Sequence, residues 1–287
     1  MNILKLFKQK KQWKMEASFA NYAYATQSKL QKMDIYLPSN KGEVNVILKI
    51  HGGGWSSGDK SYDEYVCKRA AKLGYVAASM NYRMLYPLPF LPLWLQPVNY
   101  KDMLDDIGNA IAALKTKLMT EGYPAKKLAI TGWSAGGHLT MLYGYKRNQQ
   151  SSIPIAFLDV SCAPTNFLDT AYFDMHKPHE AALLSALAGQ KIRYQDVLDK
   201  VSVLRDMSPL YSVASCVPPT LMRYGTLDKL IPLSQGTALQ AALDAVNVRN
   251  ELFVYPNSGH ELDDPSDAGI SDVYMAKLQE YLNTYFS

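Results

Sequence analysis

The residues best suited to chemistry are Gly132-Trp133-Ser134-Ala135-Gly136. They follow an apolar run and open a segment of helical period, the context of a serine presented on a sharp strand-to-helix turn. Such a turn strains the serine backbone, and a glycine on either side leaves room for neighbouring strands to come close. The helix N-terminus behind Ser134 favours a developing negative charge nearby. This pattern predicts acyl transfer from Ser134, with the Ala135 amide turned to the oxyanion. A serine hydroxyl is a poor nucleophile until a base takes its proton. Five histidines could serve: His51, His138, His176, His179 and His260. His138 falls one turn into the helix behind Ser134 and points away from the mouth. His176 and His179 flank Pro178 with no third ligand beside them, so no metal site is expected. His260, in Asn257-Ser258-Gly259-His260, follows the last predicted strand and is the expected base.

The base needs a carboxylate to fix its tautomer and stabilise the imidazolium. Asp228, in Tyr224-Gly225-Thr226-Leu227-Asp228, follows the strand before and lies at the same carboxyl end of the sheet. Asp199 and Asp206 lie in an insertion, and Asp263 and Asp264 are too near His260 in sequence. A second glycine cluster, His51-Gly52-Gly53-Gly54-Trp55, follows the strand ending at Ile50. Consecutive glycines let amide groups approach a ligand unobstructed, and two of them can join the Ala135 amide around an oxyanion. His51 is expected to fix this loop through a hydrogen bond rather than to act as a base.

These motifs resemble the α/β-hydrolase superfamily, and more narrowly its hormone-sensitive-lipase-like and BD-FAE-like esterases. The resemblance rests on His51-Gly-Gly-Gly-Trp55, Asn81-Tyr82-Arg83, Gly132-Trp-Ser-Ala-Gly-Gly-His138, Ser208-Pro209, Tyr224-Gly-Thr-Leu-Asp228 with Ile231-Pro232, and Gly259-His260. It covers the chain from about Asp34 onward. The chain order Ser134, Asp228, His260 is that of α/β hydrolases. The resemblance implies that Gly53, Gly54 and Ala135 supply the oxyanion amides, with the Trp55 amide an alternative to one glycine. After Arg83 the chain reads Met84-Leu85-Tyr86-Pro87, where hormone-sensitive-lipase-like proteins usually continue Ala-Pro-Glu; this favours the BD-FAE-like branch.

The elements that must position these residues alternate. Strands are predicted at 44–50, 75–80, 127–131, 153–160, 219–224 and 251–255, and helices at 62–73, 102–118, 135–145, 234–246 and 273–285. Several strands are Val, Ile and Leu runs with weak alternation, as in sheets covered on both faces. The helix at 102–118 places Leu104, Ile107, Ile111, Leu114 and Leu118 on one stripe. The fold class is therefore α/β, with a mostly parallel central sheet, helices on both faces and a small cap or lid insertion. Residues 33–37 read as an early antiparallel edge strand. Two segments interrupt the alternation as pocket or lid candidates, a Pro-rich one at 86–97 and a longer one at 165–212. Phe90, Trp94, Trp55 and Trp133 are pocket candidates. The expected organisation is a basic extension over 1–30 and one α/β-hydrolase domain over 31–287.

Composition narrows the class further. With 48% hydrophobic and 20% charged residues, the chain reads as a soluble globular protein. Five lysines fall at positions 5, 8, 10, 11 and 14, and removing them takes the formal net charge from +4 to −1. The body is near neutral, so no nucleic-acid face is expected. No run of roughly 18 apolar residues occurs, so no stable membrane insertion is expected. Three scattered cysteines, Cys67, Cys162 and Cys216, suit no disulfide framework, and a cytoplasmic location is expected. The expected partner is a small-molecule ester, without cofactor or metal; the oligomeric state stays open, a dimer included. The function expected is a serine carboxylesterase acting on short to medium acyl esters, with aryl and acetylated-carbohydrate esters in range. The alternatives are an amidase or arylformamidase, a peptidase, or a non-catalytic binding protein on the same fold.

Overall fold

The computed structural model describes residues 14–85, 92–173, 177–192 and 197–287. Its strands are β1 (Met15–Ala23), β2 (Lys32–Pro38), β3 (Val44–Ile50), β4 (Val76–Met80), β5 (Ala125–Trp133), β6 (Ile155–Ser161), β7 (Thr220–Gly225) and β8 (Asn250–Tyr255). They form one sheet in the order β1-β2-β4-β3-β5-β6-β7-β8. β1 and β2 pair antiparallel, as do β2 and β4, and the strands from β4 to β8 are parallel. The helices are α1 (Glu64–Lys72), α2 (Tyr100–Glu121), α3 (Ala135–Arg147), α4 (Pro178–Ala188), α5 (Val197–Asp206), α6 (Leu233–Ala245) and α7 (Ala268–Tyr285). This is the α/β-hydrolase architecture expected from the sequence.

Alternation within the strands sends side chains to two layers. In β5, Leu128 and Ile130 join the large cluster that buries α2, α3 and α6, while Ala129 faces the opposite layer. There Ala129, Phe157 and Leu221 pack against Tyr274, Tyr281 and Leu282 of α7, and α1 covers Tyr36 and Ala77 with Cys67, Ala70 and Ala71. The five-residue stripe expected on α2 is buried throughout. Its start is fixed by a capping box, in which Asn99 accepts from the Lys101 amide and Asp102 accepts from the Asn99 amide at 2.9 Å. Gly122 ends it in the left-handed region at φ 85°.

Two expectations need correction. Residues 15–23, assigned above to the extension, form β1 of the sheet. β2 is consequently an interior strand, not an edge, and all but the first of its residues are buried. The Pro-rich segment lies outside the described residues over 86–91, Phe90 included; from Pro92 onward it holds a single 3-10 turn at Leu93–Leu95. Trp94 there is half-buried with Lys191 over its ring at 4.6 Å, which ties the segment to the 165–212 insertion.

Candidate active site

Ser134 stands between β5 and α3 with φ 55° and ψ −124°, a conformation few non-glycine residues adopt. It is held by its neighbours: its amide donates to the Ser161 carbonyl at 2.8 Å, and its carbonyl accepts from the His138 amide at 3.0 Å. Backbone strain of this kind costs on the order of 1–3 kcal/mol and persists only where the surroundings impose it. The flanking glycines have a plain steric cause. A Cβ on Gly136 would lie 2.1 Å from the Ile50 carbonyl oxygen, and one on Gly132 would lie 2.4 Å from the Gly136 oxygen. The end of β3 thus presses against the turn that carries Ser134.

The loop after β3 brings the second glycine cluster beside that turn. Gly53 (φ 112°), Gly54 (φ 58°) and Trp55 (φ 59°) all occupy the left-handed half of conformational space. A Cβ on Gly53 would collide with Ser57, whereas Gly54 borders open space. His51 donates from Nδ1 to the Gly52 carbonyl at 2.7 Å and stacks on Tyr82 with ring centroids 4.6 Å apart. Burial holds its pKa below the ordinary histidine value. The Trp55 indole is only 3% exposed. Its N–H donates to His138 Nδ1 at 3.1 Å, and His138 Nε2 donates to the Met207 carbonyl at 2.7 Å. The Trp55 side chain therefore lies in the interior and does not wall a pocket, a correction to its candidacy; sequence reasoning saw the loop but not this tie to α3.

His138 gives the fold a pH dependence. Burial lowers its pKa from 6.5 to about 4, so the unfolded chain takes up the proton first as pH falls. The stability this neutral histidine supports is complete above about pH 6.5 and is lost on the way to about pH 4. The shift corresponds to roughly 3 kcal/mol. Urea unfolding is expected to show the wild type losing about that much more stability than His138→Gln between those two pH values. Parallel losses in the two proteins would refute this.

The remaining residues come from the last two strands. His260 Nδ1 lies 2.6 Å from Asp228 Oδ2, with the carboxylate buried and the imidazole mostly so. The other oxygen, Oδ1, accepts from the Leu230 and Ile231 amides at 2.8 and 2.9 Å. Burial alone would raise the Asp228 pKa, but the His260 contact and these amides hold it below the ordinary carboxylate value. Trp133, next to Ser134, packs at a tilt against His260 with ring centroids 4.8 Å apart, and its indole N–H donates to the His260 carbonyl at 3.2 Å. Trp133, Asp228 and His260 are thus gathered beside the Ser134 turn. His179 is exposed beside Glu180, while His176 lies outside the described residues.

Two residues here were not anticipated. Asp267, buried, accepts from the Asn257 amide at 3.0 Å and from the Ser258 hydroxyl at 2.6 Å, which braces the loop leading to His260. Cys162, buried at the end of β6 with φ 47°, flanks Asp228 and His260. Burial, and then the Asp228 charge, push its thiol up to about 12. Nothing in the spacing of either residue marked it.

Residues 33–243 match the BD-FAE family model. The chain belongs to the BD-FAE family. It is 27% identical over 229 residues to esterase LipC of Mycobacterium tuberculosis, covering 76% of this chain and 53% of that protein. It is 24% identical over 259 residues to the isoprenylcysteine alpha-carbonyl methylesterase ICME of Arabidopsis thaliana, covering 85% and 57%. The chain spans about half the length of these curated relatives. Among solved structures, a truncated carbohydrate esterase from gut microbiota superposes with TM-score 0.71 at 18% identity, over 94% of this chain and 99% of that one. That likeness establishes the α/β-hydrolase fold for this BD-FAE member. Among the described residues no helix is long and apolar enough to cross a membrane.

Proposed function

We propose that this chain is a serine carboxylesterase. The observation that carries the reading is the His260–Asp228 couple at 2.6 Å, seated against Trp133 beside a strained Ser134. Ser134 Oγ attacks the ester carbonyl while His260 takes its proton. Asp228 keeps the Nδ1 proton in place, so Nε2 is the basic nitrogen, and stabilises the imidazolium once formed. The amides of Gly53, Gly54 and Ala135 hold the oxyanion. The C–O bond to the alcohol breaks as His260 returns the proton to the leaving oxygen. Water, deprotonated by the same imidazole, then cleaves the acyl-enzyme.

The same geometry supports an apolar acyl or aryl group at the mouth. Leu227 and Leu230, close to Asp228 in the chain, are 59% and 65% exposed, and in this reading they meet the acyl or aryl group. Burying such side chains against an apolar substrate contributes about 25 cal/mol per Å² removed from water. Names among the relatives and neighbours, including esterase LipC and a carbohydrate esterase, support ester chemistry without fixing the alcohol. A panel of p-nitrophenyl esters of rising chain length, acetylated sugars, feruloyl esters, an arylformamide and an aminoacyl anilide tests the reading. Highest kcat/KM on short to medium acyl esters is expected. Turnover confined to the amide substrates would replace this reading with an amidase.

A further inference from the structure

The proposed mechanism has no use for Cys162, yet its thiol lies beside the two residues that do the proton work. The Cys162 sulfur, an Asp228 carboxylate oxygen and a His260 ring nitrogen all lie within 4.8 Å of one another. These are three of the donor types that zinc takes, and around one zinc ion such donors stand roughly 3–4 Å apart. Small rotations of the side chains would close the difference. Cys162 is firmly placed, since its amide donates to the Arg223 carbonyl at 2.8 Å across to β7. Asp228 is anchored by two amides, and His260 by Trp133.

We propose that Cys162, Asp228 and His260 form an inhibitory site for a thiophilic divalent cation such as Zn²⁺ or Cd²⁺. The inference rests on the esterase reading for its effect on turnover, but not for the binding itself. The cation takes the place of the proton between Asp228 and His260 Nδ1, and the thiol enters as thiolate. The displaced ring proton moves to Nε2, so the ring stays a neutral imidazole, and binding releases one proton, from sulfur. With its Nδ1 on the cation and its carboxylate partner diverted, His260 no longer accepts the Ser134 proton. The sulfur ligand sets the selectivity, because a thiolate favours soft and borderline cations. Mg²⁺ and Ca²⁺, which prefer oxygen ligands, are excluded.

The test titrates the whole 287-residue chain with ZnCl₂, CdCl₂ and MgCl₂. Binding is read by competition with a chromophoric chelator, and turnover on p-nitrophenyl acetate. Wild type is expected to bind one Zn²⁺, lose at least nine-tenths of its activity and regain it with EDTA, while Mg²⁺ has no effect. Cys162→Ser is expected to need at least tenfold more Zn²⁺ for the same fractional loss, each protein being referred to its own metal-free rate. Cys216→Ser, at the exposed cysteine, is expected to behave as wild type. Equal sensitivity of Cys162→Ser and wild type would overturn the proposal, as would failure of wild type to bind Zn²⁺. Should Cys162→Ser not fold, X-ray absorption on the zinc-loaded wild type decides: a sulfur ligand supports the site, and a shell of nitrogen and oxygen alone overturns it. If metal-free wild type hydrolyses no ester, the esterase reading fails, and chelator competition still decides the site.

Discussion

Ser134→Ala is expected to lower kcat by on the order of 10⁶, with KM little changed. The substitution removes one oxygen from a residue whose backbone is held from both sides. The Ser134 amide keeps its bond to the Ser161 carbonyl, and α3 still begins with the His138 amide on the residue 134 carbonyl. Alanine meets the same strain at φ 55° as serine, so the fold should survive and the loss should be chemical. What remains is the catalysis that the amide cluster and substrate binding provide without a nucleophile, about 10³–10⁴ over water. Steady-state rates on p-nitrophenyl acetate, beside thermal melts to show that the variant is folded, measure this. A folded variant within a hundredfold of wild type would remove Ser134 from the reaction.

Asp228→Asn is expected to cost about 10⁴ in kcat. The shape is kept, and Oδ1 still faces the Leu230 and Ile231 amides. What changes is the atom 2.6 Å from His260 Nδ1. If the amide nitrogen faces the ring it donates where the carboxylate accepted, which moves the ring proton to Nε2. That nitrogen then points a hydrogen at the Ser134 side and cannot take the serine proton. The imidazolium formed during attack also loses its counter-charge. Asp267→Asn, by contrast, removes a charge from the brace of the 257–260 loop without touching the ring, so its effect separates loop support from tautomer control. A loss at Asp228→Asn no greater than at Asp267→Asn would show that Asp228 only holds the loop.

Much of this arrangement was readable in the chain, and the reason differs from residue to residue. Gly132 and Gly136 were legible because backbone atoms lie where their Cβ atoms would be, and no other residue type meets that demand. The stripe on α2 was legible because burial on one helix face repeats at the helical period. β1 was passed over although Met15-Glu16-Ala17-Ser18-Phe19 alternates apolar and polar residues, with Met15, Ala17 and Phe19 turned inward. The lysines before it and the break at Asn21, whose φ of 56° interrupts the register with β2, obscured the pattern. Missing β1 placed β2 at an edge. The place of Trp55 in the interior was not legible, because its partner His138 lies 83 residues on, a pairing that only tertiary structure reveals. Cys162 belongs to the same class, since it meets Asp228 and His260 only across strands, whereas Asp267 reaches back nine and ten residues to Ser258 and Asn257 through a turn with no local signature.

The central claim is that Ser134 is a nucleophile made reactive by His260. The most direct measurement is labelling of the folded protein with a fluorophosphonate, followed by mass analysis of the modified peptide. One adduct per chain is expected, on the peptide containing Ser134, lost in Ser134→Ala and slowed by orders of magnitude in His260→Ala. A folded protein that takes up no label, or one labelled on a different residue, would contradict the account.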